Sequence, residues 1–268
     1  MQMTFFIAAA LLYLGCAFLP PGRVLPIAVG TALAWLLHGA ALAADVVAPD
    51  SLRLGFAVVL SATLWVSVGA YWLENRNFAL DGLRVLMLPV AAVATLLPML
   101  FPGSVVSMQG KSPLFSWHIV VAVLAYSTLT VAAFHAVLMA LQESKLHARG
   151  PAPSGWLAGA VERLPALLTM EKLLFRLIGF GFFLLTLTVV SGILFSEQIV
   201  GRPLTWDHKT VFTLLSWALF GILLAGRKWR GWRGKTALSF TLSGFATLFL
   251  AYVGSRFVLE VVLHRSLA

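Results

Sequence analysis

Eight apolar runs, each about the length that crosses a bilayer, leave this chain little sequence from which to build anything else. A spanning helix needs about 20 predominantly apolar residues. The runs fall at Thr4–Leu19, Ile27–Ala44, Leu54–Leu73, Val85–Phe101, Phe115–Leu141, Leu173–Phe195, Lys209–Ala225 and Ala237–Leu263. Backbone in lipid must pair its own polar groups, which favours helices. The expected class is therefore all-α: one polytopic transmembrane domain over residues 1–268, with about eight helices. Only 11% of the 268 residues are charged, against about 25% in soluble domains, and the mean hydropathy is +0.93. Pro20-Pro21-Gly22 closes the first run and Pro102-Gly103 the fourth. The longest connection, Gln142 to Lys172, contains Trp156, Leu157 and Val161 and predicts a short helix at the membrane surface. The first run has no basic residue before it, unlike a cleaved signal peptide, and reads as a retained span.

The basic residues sort by side. The loops after runs one, three, five and seven hold Arg23; Arg76 and Arg84; Lys145, Arg149, Arg163, Lys172 and Arg176; and Arg227, Lys228, Arg230, Arg233 and Lys235. The opposite side holds Arg53, Lys111, Arg202, Lys209 and Arg265, with Arg256 inside the last run. Thirteen against six predicts that the odd loops are cytoplasmic and that both termini face outward. The net charge of +9 is explained by this bias and does not argue for nucleic acid.

On that topology His118, the Trp206-Asp207-His208 stretch and His264 all lie at the edges of apolar runs on the outer side. Neutral imidazole is a common axial ligand to haem iron, and its second ring nitrogen needs a partner to orient it. The plainer reading of each is a solvated interfacial residue, with Asp207 as a helix N-cap. Tyr252, Arg256, Glu260 and His264 recur every four residues, which on an α-helix makes one stripe. Arg256 either pairs with Glu260 or holds an anionic group such as a haem propionate. His38 lies within the second run, where an ionisable residue marks either function or a hydrogen bond between helices. His135 and His147 receive no role. The one cysteine, Cys16, excludes an intrachain disulfide, and no C-x-x-C-H motif for covalent haem attachment occurs. Hydrolase and phosphate-loop motifs are absent from the sequence, so no enzyme is expected.

The run "TWDHKTVFTLLSWALFGILLAGRKWRGWRGKTALSFTLSGFATLFLAYVGSRFVLEVVLHR" resembles the C-terminal half of the cytochrome c assembly family, which includes the CcsA, CcmC and HemX-like proteins. The shared pattern is Trp206-Asp207 leading into a helix, a basic Gly231-Trp232-Arg233-Gly234 turn, and a last helix ending at His264. "WHIVVAVLAYSTL" resembles the family's other flanking histidine segment, at His118. The core of the resemblance covers roughly 54–268 and is nearest the small eight-helix YpjD-type branch. It implies that His118 and His264 are outer-face haem-iron ligands, that Trp206-Asp207 is what remains of a porphyrin platform, and that His38 matches a membrane-embedded histidine. Only Trp206 stands where the family clusters several tryptophans, and Asp207-His208-Lys209-Thr210 replaces Asp-Pro-Lys-Glu.

Two functions follow as expectations. The first is a bacterial inner-membrane protein that holds haem b non-covalently between His118 and His264, with Arg256 near the propionates, and assists c-type cytochrome assembly with a synthetase or lyase partner. The second is a non-enzymatic regulator or accessory subunit, concerned with tetrapyrrole synthesis or with a membrane transport system, that docks through Arg227–Lys235.

Overall fold

The computed structural model describes residues 2–48, 51–78, 80–147, 156–194 and 206–262. Helices α1 (Gln2–Phe18), α2 (Val24–Val46), α3 (Phe56–Phe78), α4 (Asp81–Leu100), α5 (Pro113–His147), α6 (Trp156–Glu162), α7 (Leu167–Leu194), α8 (His208–Arg230) and α9 (Gly234–Phe249) follow in chain order. The last runs on through a π-helical turn (Leu250–Gly254), α10 (Ser255–Phe257) and a second π-helical stretch (Val258–Val262). Seven helical segments among the described residues are long and apolar enough to cross a membrane. The shorter α1, of 17 residues, packs as a full member of the bundle. Each apolar run of the sequence corresponds to one of these segments, and the chain is a polytopic helical membrane protein.

The helices close into two rings of four. In the first, α1 and α3 each pack on α2 and α4; in the second, α5 and α8 each pack on α7 and α9. The rings meet where α5 packs on α3 and α4. One apolar core runs through both, from Tyr13 and Leu64 through Leu88 and Leu129 to Leu174 and Phe220. Lipid tails are as apolar as leucine, so helix association here depends on close packing, often at small residues. Ala10, Ala34, Ala91, Ala132 and Ala136 are all buried in that core. Serine and threonine hydroxyls are largely satisfied within their own helices: Thr95 donates to the Ala91 carbonyl, Ser127 to Val123 and Thr188 to Leu184. That back-bonding gives them partners in a medium without water.

Among the described residues, a small antiparallel sheet is the one departure from an all-helical plan. Strands β1 (Val47–Ala48), β2 (Ser51–Leu54) and β3 (Ser104–Ser107) lie in the order β1-β2-β3, with Leu52 opposite Val106. They tie the α2–α3 connection to the α4–α5 connection. Gly103, at φ +74°, makes the turn into β3, where a Cβ would stand 2.6 Å from the Leu54 carbonyl oxygen. Arg53 reaches back to Asp45 at 2.8 Å. Strands this short carry no period-2 signal long enough to separate from a helix run.

The opposite end of the bundle carries the basic loops. Glu171, at the start of α7, accepts from Arg227 of α8 and from Arg233 of the turn into α9, both at 2.7 Å. Gly231 closes α8 in the left-handed region at φ 66°, as a helix C-cap favours. Trp232 then folds back over Gly226 and against Phe240. Arg84 is buried and donates to the Leu19 carbonyl just beyond α1 at 3.0 Å, a site suited to a cation at a helix C-terminus. The surface helix expected between 142 and 172 is α6. It seats Ala160 and Val161 in the interior, and the Ala160 carbonyl lies against Gly82 of α4.

Candidate functional site

His118 stands in the second turn of α5, half-buried, at the end of the bundle opposite the basic loops. Its Nδ1 lies 2.8 Å from Ser191 Oγ, near the end of α7. Ser191 Oγ is also within reach of the Thr188 carbonyl at 3.1 Å. With the one serine proton on that carbonyl, Nδ1–H donates to the serine oxygen and the lone pair is on Nε2. Nε2 has no hydrogen-bond partner among the described residues. This is the tautomer and second-shell support that an axial imidazole requires. Ser191 was invisible to sequence reasoning, because it is 73 residues from His118 and nothing local marks it.

Arg256 lies toward the same end of the bundle on the last helix. Tyr126 donates to the Leu248 carbonyl at 3.0 Å, tying α5 to the antiparallel α9. From that bond, His118 is eight residues toward this end on α5 and Arg256 is eight residues toward it on the last helix, through a π-helical turn. Arg256 is buried, with its guanidinium 5.8 Å from the Tyr252 ring centre. The four-residue stripe of the sequence is altered here, since Tyr252 and Glu260 fall in π-helical turns whose hydrogen bonds span five residues. Such turns recur at functional sites. The side chain of Glu260, and all of His264, lie outside the described residues; the described helix stops at Val262, at the same end as His118.

Asp207 is the N-cap of α8: its Oδ1 accepts from the Thr210 N–H at 2.9 Å. Trp206 precedes it, 75% exposed, an aromatic face with no ring packed on it among the described residues. His208 opens α8.

His38 is placed differently. It lies inside the first ring, fully buried, joined to three other helices. Thr95 Oγ1 of α4 lies 3.2 Å from His38 Nδ1 and donates its proton to the Ala91 carbonyl. Ser61 Oγ of α3 is 2.8 Å from Nε2, and the Tyr13 hydroxyl of α1 lies 3.4 Å from Nδ1. Both ring nitrogens are engaged, and the structure does not bring His38 into the ring that holds His118. Trp35, three residues earlier, turns away from it and stacks on Trp65. His135 is also fully buried, in α5 toward the basic end; its Nδ1 donates to the Val131 carbonyl at 2.9 Å, and its Nε2 faces Glu74 Oε2 at 3.9 Å. Among the described residues no three His, Cys, Asp or Glu side chains cluster as a metal site.

Two rings of apolar helices, with an oriented imidazole, a buried arginine and an exposed indole at one end, define a multi-pass membrane protein with a polar face. The chain belongs to the cytochrome c assembly protein family, whose profile, described as Cytochrome C assembly protein, matches residues 27–263. It is similar to the inner membrane protein YpjD of Escherichia coli (strain K12), 27% identical over 181 residues, which are 66% of this chain and 65% of that protein. It is similar also to the cytochrome c biogenesis protein CcsA of Gloeobacter violaceus, 32% identical over 92 residues, 34% of this chain and 27% of that protein. The CcsA of Thermosynechococcus vestitus is 32% identical over 95 residues, 35% of this chain and 30% of that protein. The matched stretch thus spans just under two thirds of YpjD and less than a third of these CcsA proteins. No solved structure matches the chain. With its apolar helices and these relatives, the chain is a multi-pass inner-membrane protein.

Proposed function

We propose that this protein serves c-type cytochrome assembly by holding haem b non-covalently at the bundle end away from the basic loops, which the charge bias assigns to the outer face. The observation that carries this is the 2.8 Å contact of His118 Nδ1 with Ser191 Oγ, which orients the ring and engages the nitrogen other than Nε2. Haem, when bound, would supply an iron that accepts imidazole ligands. His118 would hold it and, by the family resemblance, His264 with it. Arg256, toward the same end of the bundle, matches an anionic propionate by charge and by its planar donor fork. Trp206 offers a flat apolar face suited to a porphyrin. The residues orient and retain; none is assigned a bond-making step, and a partner with ligase chemistry completes the reaction. His38 is left out of this set, because Ser61 already holds its Nε2.

The test is the optical spectrum of the protein purified in mild detergent from haem-replete cells, oxidised and reduced. A low-spin bis-imidazole spectrum, lost in His118→Ala and in His264→Ala, is the expected result. Absence of haem after reconstitution overturns the reading.

One observation favours a second reading, docking to a membrane partner through the basic turn. Trp229 is 79% exposed between Lys228 and Arg230, none of which contributes to the Glu171 ion pairs. Charge reversal at Lys228, Arg230 and Lys235 that abolishes function while His118→Ala spares it would favour this reading.

A further inference from the structure

The α2–α3 seam of the first ring carries a lipid-facing groove of about 530 Å³, lined by Ala32, Trp35, Trp65, Gly69, Ala70 and Trp72 among others. Its indole N–H groups are all committed to backbone carbonyls: Trp35 to Trp65 and Trp65 to Trp35, both at 2.9 Å, and Trp72 to Ala28 at 3.2 Å. The walls therefore present only hydrocarbon and ring faces, and whatever lies against them has no polar partner to satisfy. That excludes a ligand whose buried part needs hydrogen bonds.

The groove has a charged mouth. Arg76, exposed in the last turn of α3, lies 5.0 Å over the Trp72 ring. Arg23, also exposed, caps the start of α2, close to where the Trp72–Ala28 bond ties that helix to α3. Neither guanidinium has an ion pair among the described residues. From Trp65 to Arg76 is eleven residues, about 16 Å of helix, which is close to half of the roughly 30 Å hydrocarbon core. The groove thus runs from the basic surface to about mid-membrane, the depth of one leaflet.

We propose that this groove is a site for an anionic phospholipid of the leaflet at the basic end, with one acyl chain along Trp65 and Trp72 and the phosphate at Arg76 and Arg23. Apolar walls, leaflet-length depth and two uncompensated cations at one mouth together match that molecule. The site lies in the first ring, away from His118, and does not rest on the haem reading.

The test is native mass spectrometry of the full chain released from detergent, with phosphatidylglycerol or phosphatidylcholine added. The expected result is one retained phosphatidylglycerol per chain, in preference to phosphatidylcholine. Arg76→Gln lowers that preference about fivefold, the factor for one basic residue at a lipid surface, while Arg76→Lys keeps most of it. Ala70→Leu, which fills the groove, lowers retention of both lipids. Circular dichroism and elution volume show whether each variant is folded, and Arg76→Gln is at an exposed position where folding is not at risk. Equal retention of the two lipids, an unchanged preference in Arg76→Gln, or a dimer that occupies this face in place of lipid would each overturn the proposal.

Discussion

Trp35 and Trp65 are bound reciprocally: each donates its indole N–H to the other's carbonyl at 2.9 Å, and the rings stack 4.9 Å apart at an interplanar angle of 8°. The glycine four residues on from each tryptophan lies beneath the other's ring. A Cβ on Gly39 would stand 2.8 Å from Trp65 Nε1, and one on Gly69 3.0 Å from Trp35 Nε1. Two Trp-x-x-x-Gly segments on antiparallel helices thus make one symmetrical seam. Gly39→Ala is expected to destabilise by about 1–3 kcal/mol through overpacking, and Gly69→Ala by less. Thermal unfolding in detergent, read by tryptophan fluorescence, checks the order.

Ser191 positions His118 without reaching any ligand itself. If His118 ligates haem, Ser191→Ala weakens haem affinity by about 10- to 100-fold, as loss of an outer-shell partner does. Ser191→Thr keeps the hydroxyl and recovers part of it. An optical haem titration reads both, and unchanged affinity in Ser191→Ala would remove Ser191 from the site.

Asp207 and Trp206 separate by what they affect. Asp207→Ala costs about 1 kcal/mol of stability as a lost N-cap, and Asp207→Ser largely preserves it. Trp206→Ala, at an exposed indole, leaves the melting temperature in place and lowers haem retention. The paired melting and absorbance measurements distinguish capping from platform.

Glu171 neutralises two arginines at the basic end. Its side chain is 8% exposed, but those of Arg227 and Arg233 are 29% and 54% exposed. Water screens the pairs, so Glu171→Gln is expected to cost about 1–3 kcal/mol, below the range for a fully buried bridge. Thermal melts of Glu171→Gln and Arg233→Gln test this. Charge reversal aimed at partner binding therefore belongs at Lys228, Arg230 and Lys235, where the Glu171 pairs are not disturbed.

Glu162 on α6 accepts from Lys145 at 2.6 Å, and that hydrogen bond and charge hold its carboxyl below the usual glutamate range. A depressed carboxylate pKa contributes stability that is present above the ordinary value and is lost as pH falls through the lowered one. The protection factors of the α6 amides, with the intrinsic pH dependence of exchange divided out, are expected to stay constant from neutral pH down to the ordinary carboxylate range and to fall below it. The Glu162→Gln variant loses that pH dependence.

The helical runs, the two chemically different ends, and the presence of His118, Arg256, Trp206 and Asp207 at or near the edges could be read from the order of residues alone. Length in lipid forces helix, and charge avoids the hydrocarbon core, so both are written in composition along the chain. The basic turn Gly231-Trp232-Arg233-Gly234 was legible through the family resemblance, and its left-handed C-cap at Gly231 suits glycine. Which polar groups face each other depends on how the helices pack. His118 and Ser191 are 73 residues apart, and the difference between His118, with Nε2 free, and His38, with both nitrogens engaged, depends on hydroxyls from other helices. The division into two rings and the Trp35–Trp65 seam were hidden for the same reason. Every span is apolar on most faces, so hydropathy says that a helix is in the membrane but not which neighbour it meets; packing of small against large side chains settles that.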